Sequence, residues 1–320
     1  MSTGQLDVVI AAINAEAKDV ISFELVDPQG RDLPPFEPGS HLEVHLANGL
    51  IRHYSLFGDF RDQSRYKIGV GLSPQSRGGS RFLHGGLKVG DRLRISAPRN
   101  NFPLVESGDH YNFIAGGIGI TPILAMIRWC VANGKSWTLH YLARSRLRAA
   151  FYEELLELGA DNLVQHFLDE NGGQPLDIEA TVAGMPLYSH IYCCGPAPLM
   201  ERVQEAAHAR PADNVHFEWF SASGKTQTST DNGSFKVILR STGDILLVPP
   251  EKSILEVLED NGHFLPFSCR EGLCASCETR VLSGTPDHRD FVLSESAKAE
   301  GKSMLICVSR AKSEVLELDI

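Results

Sequence analysis

The pattern of apolar and polar positions divides the chain into regions of different character. Up to about residue 104, short runs such as 42–46 and 66–70 alternate between apolar and polar residues, and Gly, Pro or Asp turns separate them. Such alternation predicts strands with one buried face. Many short strands with frequent turns favour an antiparallel barrel or sandwich.

Beyond about residue 110, buried strand candidates alternate with helical stretches. The strand candidates are residues 113–115, 137–143 and 191–194, and the helical stretches are 121–133, 149–158 and 198–209. Strands that alternate with helices predict an α/β domain with a parallel sheet.

A polar stretch then separates this region from a third one. Residues 221–233 contain no large apolar side chain, and β alternation resumes at 235–239. This composition is typical of a linker. The predicted organisation is a β domain at 1–104, an α/β domain at 105–222, a linker at 223–233 and a small domain at 234–320.

Charge and cysteine content narrow the function. The net charge of −10 argues against nucleic acid as a partner, because phosphate binding needs clustered basic residues. The start of the chain does not resemble a signal peptide, and no apolar run reaches the roughly 18 residues needed to span a bilayer. We therefore expect a cytoplasmic protein without a membrane partner. The seven unevenly spaced cysteines fit ligands in a reducing compartment better than disulfides.

The strongest motif lies in the third region. Cys269, Cys274 and Cys277 follow the pattern C-x4-C-x2-C, and Cys307 stands alone further along the chain. This is the spacing of plant-type [2Fe-2S] clusters, in which four thiolates hold two irons. The alternative is a zinc site with four cysteine ligands, but such sites pair two short hooks of two cysteines each.

The β domain contains two short motifs that suit an anion. One is the run R-H-Y-S-L at 52–56, in which Arg52 can pair with a phosphate through two hydrogen bonds. The other is S-R-G-G-S at 76–80, in which Gly78 and Gly79 let the backbone approach an anion. The alternatives are a surface charge for Arg52, a core aromatic for Tyr54 and a plain hairpin turn at 76–80.

The α/β domain contains a glycine-rich turn between a strand and a helix. The run A-G-G-I-G-I-T-P at 115–122 permits a tight turn and close approach to a pyrophosphate at the helix N-terminus. Thr121 and Pro122 are residues that favour the start of a helix. A second motif, Cys194-Gly195-Pro196, ends a later strand, where a small buried residue is the alternative reading of Cys194.

Taken together, these motifs resemble one known family over essentially the whole chain. Residues 234–320 resemble a plant-type ferredoxin, and the order of motifs is similar to that of the phthalate dioxygenase reductase and vanillate demethylase reductase family. The resemblance implies an antiparallel β-barrel flavin domain, an α/β parallel-sheet nucleotide domain and a β-grasp ferredoxin domain. It also implies electron transfer from NADH through FMN and a [2Fe-2S] cluster.

The resemblance assigns site residues as well. The FMN contacts would be Arg52, His53, Tyr54, Ser55, Gly69, Val70, Gly71, Gly78, Gly79 and Ser80, with a turn between Gly69 and Gly71 beside the ring. The nicotinamide contacts would be Gly116, Gly117, Gly119, Thr121, Pro122, Cys194, Gly195, Pro196 and Phe220. Ser55 would lie near flavin N5, Cys194 beside the hydride-donating carbon and Phe220 at the flavin face. For Phe220, a core strand is the alternative.

Donor and acceptor are less sharply specified. The resemblance favours NADH, although the basic residues at 144–148 could hold the 2′-phosphate of NADPH. The expected partner is a terminal Rieske-type oxygenase that docks transiently on a monomer. Alternatives are a haem monooxygenase or ferric compounds as acceptors, and a redox-sensing regulator. The regulator is disfavoured because no region resembles a DNA-binding or effector module.

Overall fold

A computed structural model of the chain describes residues 4–74, 76, 78–221 and 233–320. It divides the chain into two compact units, of which the first ends at Glu218 and the second begins at Trp219. Most of the predicted linker, 223–233, lies outside the described residues, as does Arg77 of the glycine motif at 76–80. The predicted domain bounds therefore stay a prediction.

The first half of unit one is a sheet of short antiparallel strands. These are β1 (Gln5–Ala17), β2 (Val20–Val26), β3 (Ser40–His45), β4 (Ile51–Ser55), β5 (Tyr66–Gly71), β6 (Arg92–Ser96) and β7 (Arg99–Asn100), with helix α1 (Gly79–Gly86) after β5. The strands pair in the order β4-β3-β6-β1-β2-β5, and β7 pairs with β3.

The alternation in the sequence explains why this sheet closes into a barrel. Val8 and Ile10 of β1 and Phe23 and Leu25 of β2 are fully buried in one apolar cluster, while the residues between them are more exposed. The two ends of the sheet meet through an antiparallel bridge between Leu56 and Ile68. Closure removes the free sheet edges, which would otherwise be open to pairing with other chains.

The second half of unit one is a parallel sheet with helices. Its strands are β8 (His110–Gly116), β9 (Ser136–Ala143), β10 (Leu163–Phe167), β11 (His190–Cys194) and β12 (Val215–Glu218). Its helices are α2 (Ile120–Ala132), α3 (Tyr152–Gly159), α4 (Ile178–Ala183) and α5 (Ala197–Ala206). Single 3₁₀ turns lie at Gly117–Gly119, Arg146–Arg148, Ala160–Asn162 and Ala212–Asn214.

The strand order in this sheet is β10-β9-β8-β11-β12, with all neighbours parallel. Strand β8 is buried along nearly its whole length, and α2 is apolar on almost every side. A helix of this kind lies in a core rather than on the surface. This apolar character agrees with the helical stretch predicted at 121–133, directly after the glycine-rich turn.

Unit two is a small mixed sheet with two helices. Its strands are β13 (Phe235–Leu239), β14 (Ile245–Val248), β15 (Glu278–Ser283), β16 (Pro286–Asp287), β17 (Ser303–Leu305), β18 (Arg310–Ala311) and β19 (Val315–Leu318). Its helices are α6 (Ile254–Asp260) and α7 (Glu295–Glu300). The main sheet has the order β14-β13-β19-β15-β17, with β13 parallel to β19, and β16 pairs with β18.

A capping box starts α6. The hydroxyl of Ser253 accepts the Glu256 N–H at 3.2 Å, and the Glu256 carboxylate accepts the Ser253 N–H at 2.8 Å. These two bonds satisfy backbone donors that the first helical turn leaves unpaired. The helix then buries Ile254, Leu255 and Leu258 in the core of unit two.

The predicted fold class is confirmed: a β-barrel, a parallel α/β sheet and a β-grasp-like sheet follow one another along the chain. The sequence did not indicate strand β10 or helix α4, because both are short and carry little apolar periodicity. Within the described ranges, no helix has the length and apolar character that crossing a membrane requires.

One arginine holds several segments of unit two together. Arg310 is 5% exposed. Its guanidinium donates to the carbonyl oxygens of Lys252 (2.7 Å), Pro249 (3.1 Å) and Gly233 (3.2 Å). It also lies 5.0 Å from the ring centroid of Phe235. Few other side chains could satisfy three carbonyl groups at once.

We expect Arg310→Met to lower the free energy of unfolding of unit two by about 3 kcal/mol, since it leaves buried carbonyl groups without donors. Urea titration with pulse proteolysis measures this, because the protected fragments report each unit separately. The control is Arg240→Met, which removes a mostly exposed arginine that pairs with Glu317 at 3.1 Å. It should change stability by less than about 0.5 kcal/mol. Equal effects of the two changes would contradict the role assigned to Arg310.

Candidate functional site

The parallel sheet has a natural binding crevice between β8 and β11. The chain runs outward from β8 through β9 to β10, and then returns to place β11 and β12 on the other side of β8. At such a reversal the connections leave the sheet in opposite directions, and a crevice opens at the carboxyl ends of the two strands. The glycine-rich turn follows β8, and the Cys194-Gly195-Pro196 motif begins at the end of β11. The structure thus brings both predicted nicotinamide motifs together.

Close packing between the two motifs explains most of their glycines. A Cβ atom at Gly119 would lie 2.2 Å from the carbonyl oxygen of Cys194. A Cβ atom at Gly116 would lie 2.6 Å from Cδ of Pro196, and one at Gly195 would lie 3.0 Å from Cα of Gly116. A side chain at Gly119 or Gly116 would therefore force its neighbours apart, and one at Gly195 would crowd Gly116. Gly117 differs, because it has φ of 54° and no neighbour within 4 Å of such a Cβ atom. The predicted approach of these glycines to a pyrophosphate stays a prediction.

The predicted helix start at Thr121 and Pro122 agrees with the structure to within one residue. Helix α2 begins at Ile120, and Thr121 and Pro122 lie within its first turn. Thr121 is 1% exposed, and its hydroxyl donates to the Ile118 carbonyl oxygen at 3.0 Å instead of accepting a backbone N–H. The Thr121 side chain therefore links the first turn of the helix to the glycine-rich turn through a buried hydrogen bond.

The glycines near residue 70 also differ from the prediction. Gly69, Val70 and Gly71 lie at the end of strand β5 and do not form a turn. A Cβ atom at Gly69 would lie 2.7 Å from Cγ2 of Thr121, and one at Gly71 would lie 3.5 Å from Cβ of Ile118. The glycines thus let the barrel pack against the glycine-rich turn of the α/β half, so the two halves of unit one meet where both predicted cofactor sites lie.

Cys194 is a neutral, buried thiol. It is 0% exposed, as are Cys193 and Cys130. Burial, followed by the neighbouring Glu218 carboxyl, raises the pKa of Cys194 well above its usual range. A nicotinamide ring could therefore reach this sulfur only after neighbouring groups move aside.

A carboxyl group that the sequence did not single out links the two halves of unit one. Glu218 pairs with Cys194 across β11 and β12, and its Oε2 atom accepts a hydrogen bond from the Ser55 hydroxyl at 3.0 Å. The residue keeps some exposed surface, but protein closely surrounds its carboxyl group. Burial raises the pKa of Glu218 to about 8, against the effect of the Ser55 hydrogen bond. The available signal was a single charged residue in the otherwise aromatic run at 217–220.

Strand β4 and helix α1 form the predicted flavin phosphate site. Arg52 lies on β4, and a Cβ atom at Gly79 would lie 2.6 Å from its Nε atom, so the arginine side chain lies against the start of α1. Gly78 precedes the helix with φ of 95°. A guanidinium beside a helix N-terminus is a favourable setting for an anion.

The remaining flavin residues surround this point. The Ser76 hydroxyl oxygen accepts two hydrogen bonds, one from the Gly78 N–H at 3.2 Å and one from the Ser80 hydroxyl at 3.0 Å. Tyr54 is largely buried beside Arg52, and burial raises its pKa to about 12, partly offset by the arginine charge. His53 follows Arg52 on β4. Phe220 lies just beyond β12 and is 42% exposed, so its contact with a flavin stays a prediction.

The four motif cysteines converge within unit two. Cys274, Cys277 and Cys307 are buried, and Cys269 is half-buried. The Cys269 sulfur lies within hydrogen-bonding reach of the Cys274 and Cys307 thiols, and Cys277 lies within reach of Cys307. The structure therefore gathers four sulfurs from two distant stretches of chain.

The backbone of the cysteine loop suits thiolate ligands. Arg270, Gly272 and Ala275 have φ of 58°, 71° and 56°, which turns successive N–H groups toward the inside of the loop. The N–H groups of Glu271 and Leu273 donate to the Cys269 sulfur at 3.3 and 3.4 Å. The Cys274 and Cys307 thiols, and then these N–H groups, lower the pKa of Cys269. The thiolate is the form that binds metal.

A single-ion site is not evident in the same region. Among residues 4–74, 76, 78–221 and 233–320, no three His, Cys, Asp or Glu side chains are grouped as ligands of one metal ion. The choice between the cluster and the zinc alternative rests on the donor set and its spacing. Four thiolates and inward N–H groups fit a [2Fe-2S] cluster.

Comparison with known proteins agrees with this assignment. A family profile described as "2Fe-2S iron-sulfur cluster binding domain" matches residues 238–312. The chain is 45% identical to vanillate O-demethylase oxidoreductase of Pseudomonas sp. (strain HR199 / DSM 7063), over 98% of this chain and 100% of that protein. The cluster domain and the similarity across the whole chain confirm the resemblance found in the motifs.

Two solved structures are similar along the whole chain. Phthalate dioxygenase reductase is 40% identical, with a TM-score of 0.72, over 99% of this chain and 98% of that one. An intact type IV self-sufficient cytochrome P450 monooxygenase is 35% identical, with a TM-score of 0.92, over 99% of this chain and 41% of that longer one. The chain belongs to the family of flavin-dependent reductases with a [2Fe-2S] domain that includes vanillate O-demethylase oxidoreductase and phthalate dioxygenase reductase.

Proposed function

We propose that this protein is the reductase component of a Rieske-type aromatic-ring oxygenase or demethylase system. It takes electrons from NADH, passes them through FMN and the [2Fe-2S] cluster, and delivers them to a terminal oxygenase. The observation that carries the proposal is the meeting of the β4–α1 anion site, the β8–β11 crevice and the Ser55–Glu218 pair in one unit, on a chain that also bears four clustered thiols.

The proposed flavin site uses Arg52 and the start of α1 at Gly78, Gly79 and Ser80 for the phosphate. Tyr54 packs on the ring, with His53 and the strand end at Gly69–Gly71 beside it. Ser55, whose hydroxyl donates to Glu218 in this structure, would border the ring edge. FMN supplies the conversion between two-electron and one-electron chemistry, and the protein supplies orientation and electrostatics.

The proposed nicotinamide site is the β8–β11 crevice. Gly117 and the first turn of α2 would hold the pyrophosphate, and Cys194 would border the nicotinamide. Neutral groups surround this point: burial keeps the Cys194 thiol protonated and raises the Glu218 pKa. An uncharged site of this kind does not impede the approach of a hydride donor.

NADH is the proposed donor rather than NADPH. Arg148 pairs with Asp19 at 2.6 Å, and Arg146 lies 4.7 Å from the Tyr152 ring centroid and 3.4 Å from Glu170. Both arginines are already matched with carboxylates. A 2′-phosphate would have to compete for them, which supports the cofactor that lacks it.

The proposed docking is transient and involves a monomer with an acidic surface. The net charge of −10 suits a basic face on the oxygenase. A haem monooxygenase is the second candidate acceptor, and the similarity to part of a self-sufficient cytochrome P450 favours it. Reduction of each purified acceptor by the NADH-reduced protein separates the two candidates.

The first test is an anaerobic titration of the purified protein with NADH and then with NADPH, followed by visible absorbance and EPR. We expect NADH to bleach the flavin and cluster absorbance and to produce a [2Fe-2S] EPR signal. NADPH should do so at a much lower rate. Zinc in place of iron in protein produced with ample iron would overturn the electron-transfer route, and equal rates would overturn the NADH assignment.

A second test concerns Glu218. Because burial raises its pKa from 4.5 to about 8 in the folded protein, its contribution to stability is complete below pH 4.5 and is lost as the pH rises toward 8. Between these values, the unfolding free energy of the wild type should fall relative to Glu218→Gln by up to about 1.4 kcal/mol per pH unit. Urea unfolding of the flavin-free protein across this range measures the difference.

The matched control is Glu170→Gln, which changes a carboxyl group of the same unit that is half exposed beside Arg146. This variant should follow the wild-type pH dependence. If Glu218→Gln also follows it, the Glu218 carboxyl is ionised throughout the range and the proposed neutral site is wrong.

A further inference from the structure

The cluster ligands come from two stretches of chain, and a third segment is hydrogen-bonded to both. The segment 286–293, which we call the brace, lies between them in sequence. Within it, the N–H of Phe291 donates to the Gly272 carbonyl oxygen at 3.0 Å, inside the loop that carries three of the cysteines. The N–H of Arg289 donates at 3.2 Å to the hydroxyl of Ser309, a fully buried residue two positions beyond Cys307.

Asp290 sets the shape of the brace. Its side chain is fully buried. Its Oδ1 atom accepts the N–H groups of Val292 at 3.1 Å and Leu293 at 2.8 Å, which closes an Asx turn. The turn directs the neighbouring Phe291 N–H at the cysteine loop. The ring of Phe291 packs against Trp219, with centroids 5.2 Å apart, which further fixes this residue.

Asp290 also touches the cysteine loop through its backbone. Gly272 has φ of 71°, and a Cβ atom there would lie 2.7 Å from Cγ2 of Val308 and 3.2 Å from Cα of Asp290. Gly272 is the residue between Glu271 and Leu273, whose N–H groups point at the Cys269 sulfur. The brace is therefore in close contact with the cysteine loop at Gly272, between the two residues whose N–H groups donate to the Cys269 sulfur.

The second carboxylate oxygen shows that this arrangement costs stability. Oδ2 of Asp290 is buried without a hydrogen-bond partner in the described part of the chain, and the nearest basic atom is Nδ1 of His288 at 3.7 Å. A buried polar atom left unpaired is unfavourable. A carboxyl group kept in such a place points to a role other than stability.

We propose that Asp290 is a positioning residue for the [2Fe-2S] cluster, which holds the cysteine loop so that its N–H groups remain directed at sulfur. Hydrogen bonds to the sulfurs favour the reduced cluster, which carries one more negative charge. Loosening the loop should therefore make the reduction potential more negative. The inference rests on the proposed function only in requiring that the cluster be present.

The test compares Asp290→Ala with Asp290→Asn in the full-length protein loaded with cluster. Asparagine keeps the Oδ1 acceptor of the turn, and alanine removes it. We expect Asp290→Ala to shift the reduction potential to more negative values, to change the EPR g-values and to lose iron to a chelator about tenfold faster, as for other partners of metal ligands. Asp290→Asn should restore all three properties to nearly wild-type values.

The control is Asp287→Ala, which removes another carboxylate of the brace, paired with Arg289 at 2.8 Å, and leaves the Asx turn intact. The reduction potential of Asp287→Ala should equal that of the wild type. If Asp290→Ala does not fold, Asp290→Ser replaces it, because a serine hydroxyl closes such a turn more weakly. The reduction potential of Asp290→Ser should be more negative than that of the wild type, but by less than complete loss of the turn would cause.

An unchanged potential and unchanged g-values in Asp290→Ala or Asp290→Ser would overturn the positioning role. A shift in Asp290→Asn as large as in the alanine variant would also overturn it, since the turn is then not what matters. Absence of a cluster from the wild-type protein is a different result, which would overturn the proposed function itself.

Discussion

In the first unit, the glycine-rich turn meets the end of β11 at the contact between Gly119 and the carbonyl oxygen of Cys194. The space between them admits no side chain, because a Cβ atom at Gly119 would lie 2.2 Å from that oxygen. This approach places the glycine-rich turn directly beside the end of β11. The same turn is in contact with Gly69 and Gly71 at the end of β5, so the barrel is positioned by the same few residues. The cofactor sites of both halves therefore depend on one tightly packed junction.

Two kinds of thiol environment coexist in the chain and suit two kinds of chemistry. Burial and the nearby Glu218 carboxyl raise the pKa of Cys194, which keeps that sulfur uncharged at the end of β11. In the cysteine loop, neighbouring thiols and two backbone N–H groups lower the pKa of Cys269, which favours the metal-binding thiolate. The difference arises from the groups around each sulfur. Burial and a carboxyl group act at Cys194, whereas at Cys269 the Cys274 and Cys307 thiols act first and the backbone N–H groups of a loop with positive φ add to them.

Hydride transfer and single-electron transfer are thereby assigned to separate units of one chain. The first unit excludes charge around Cys194 and offers a crevice and an anion site. The second unit supplies four sulfurs and the brace that holds their loop. Each unit depends on long-range hydrogen bonds to keep its geometry: Ser55 to Glu218 in the first, and Phe291 to Gly272 in the second.

The sequence by itself determined the fold class and predicted the ligands of the cluster, because both follow from local patterns. Alternation predicts strands, a glycine-rich turn between strand and helix predicts a nucleotide site, and the spacing of Cys269, Cys274 and Cys277 is readable without a fold. It also predicted cofactor-binding roles for Arg52 and Cys194, since each belongs to a short contiguous motif, and these roles stay predictions. The contact of Phe220 with a flavin stays a prediction.

Tertiary structure alone decided why the glycines are needed, because the atoms that crowd them lie on other strands. It placed Gly69–Gly71 in a strand rather than a turn, and it turned the Thr121 hydroxyl inward. It also selected Glu218, whose partner Ser55 is 163 positions away. It selected Asp290 too, which belongs to no sequence motif but adjoins Phe291, whose N–H donates to Gly272 of the cysteine loop. Such pairings depend on how distant segments pack, and local propensity carries no record of that packing.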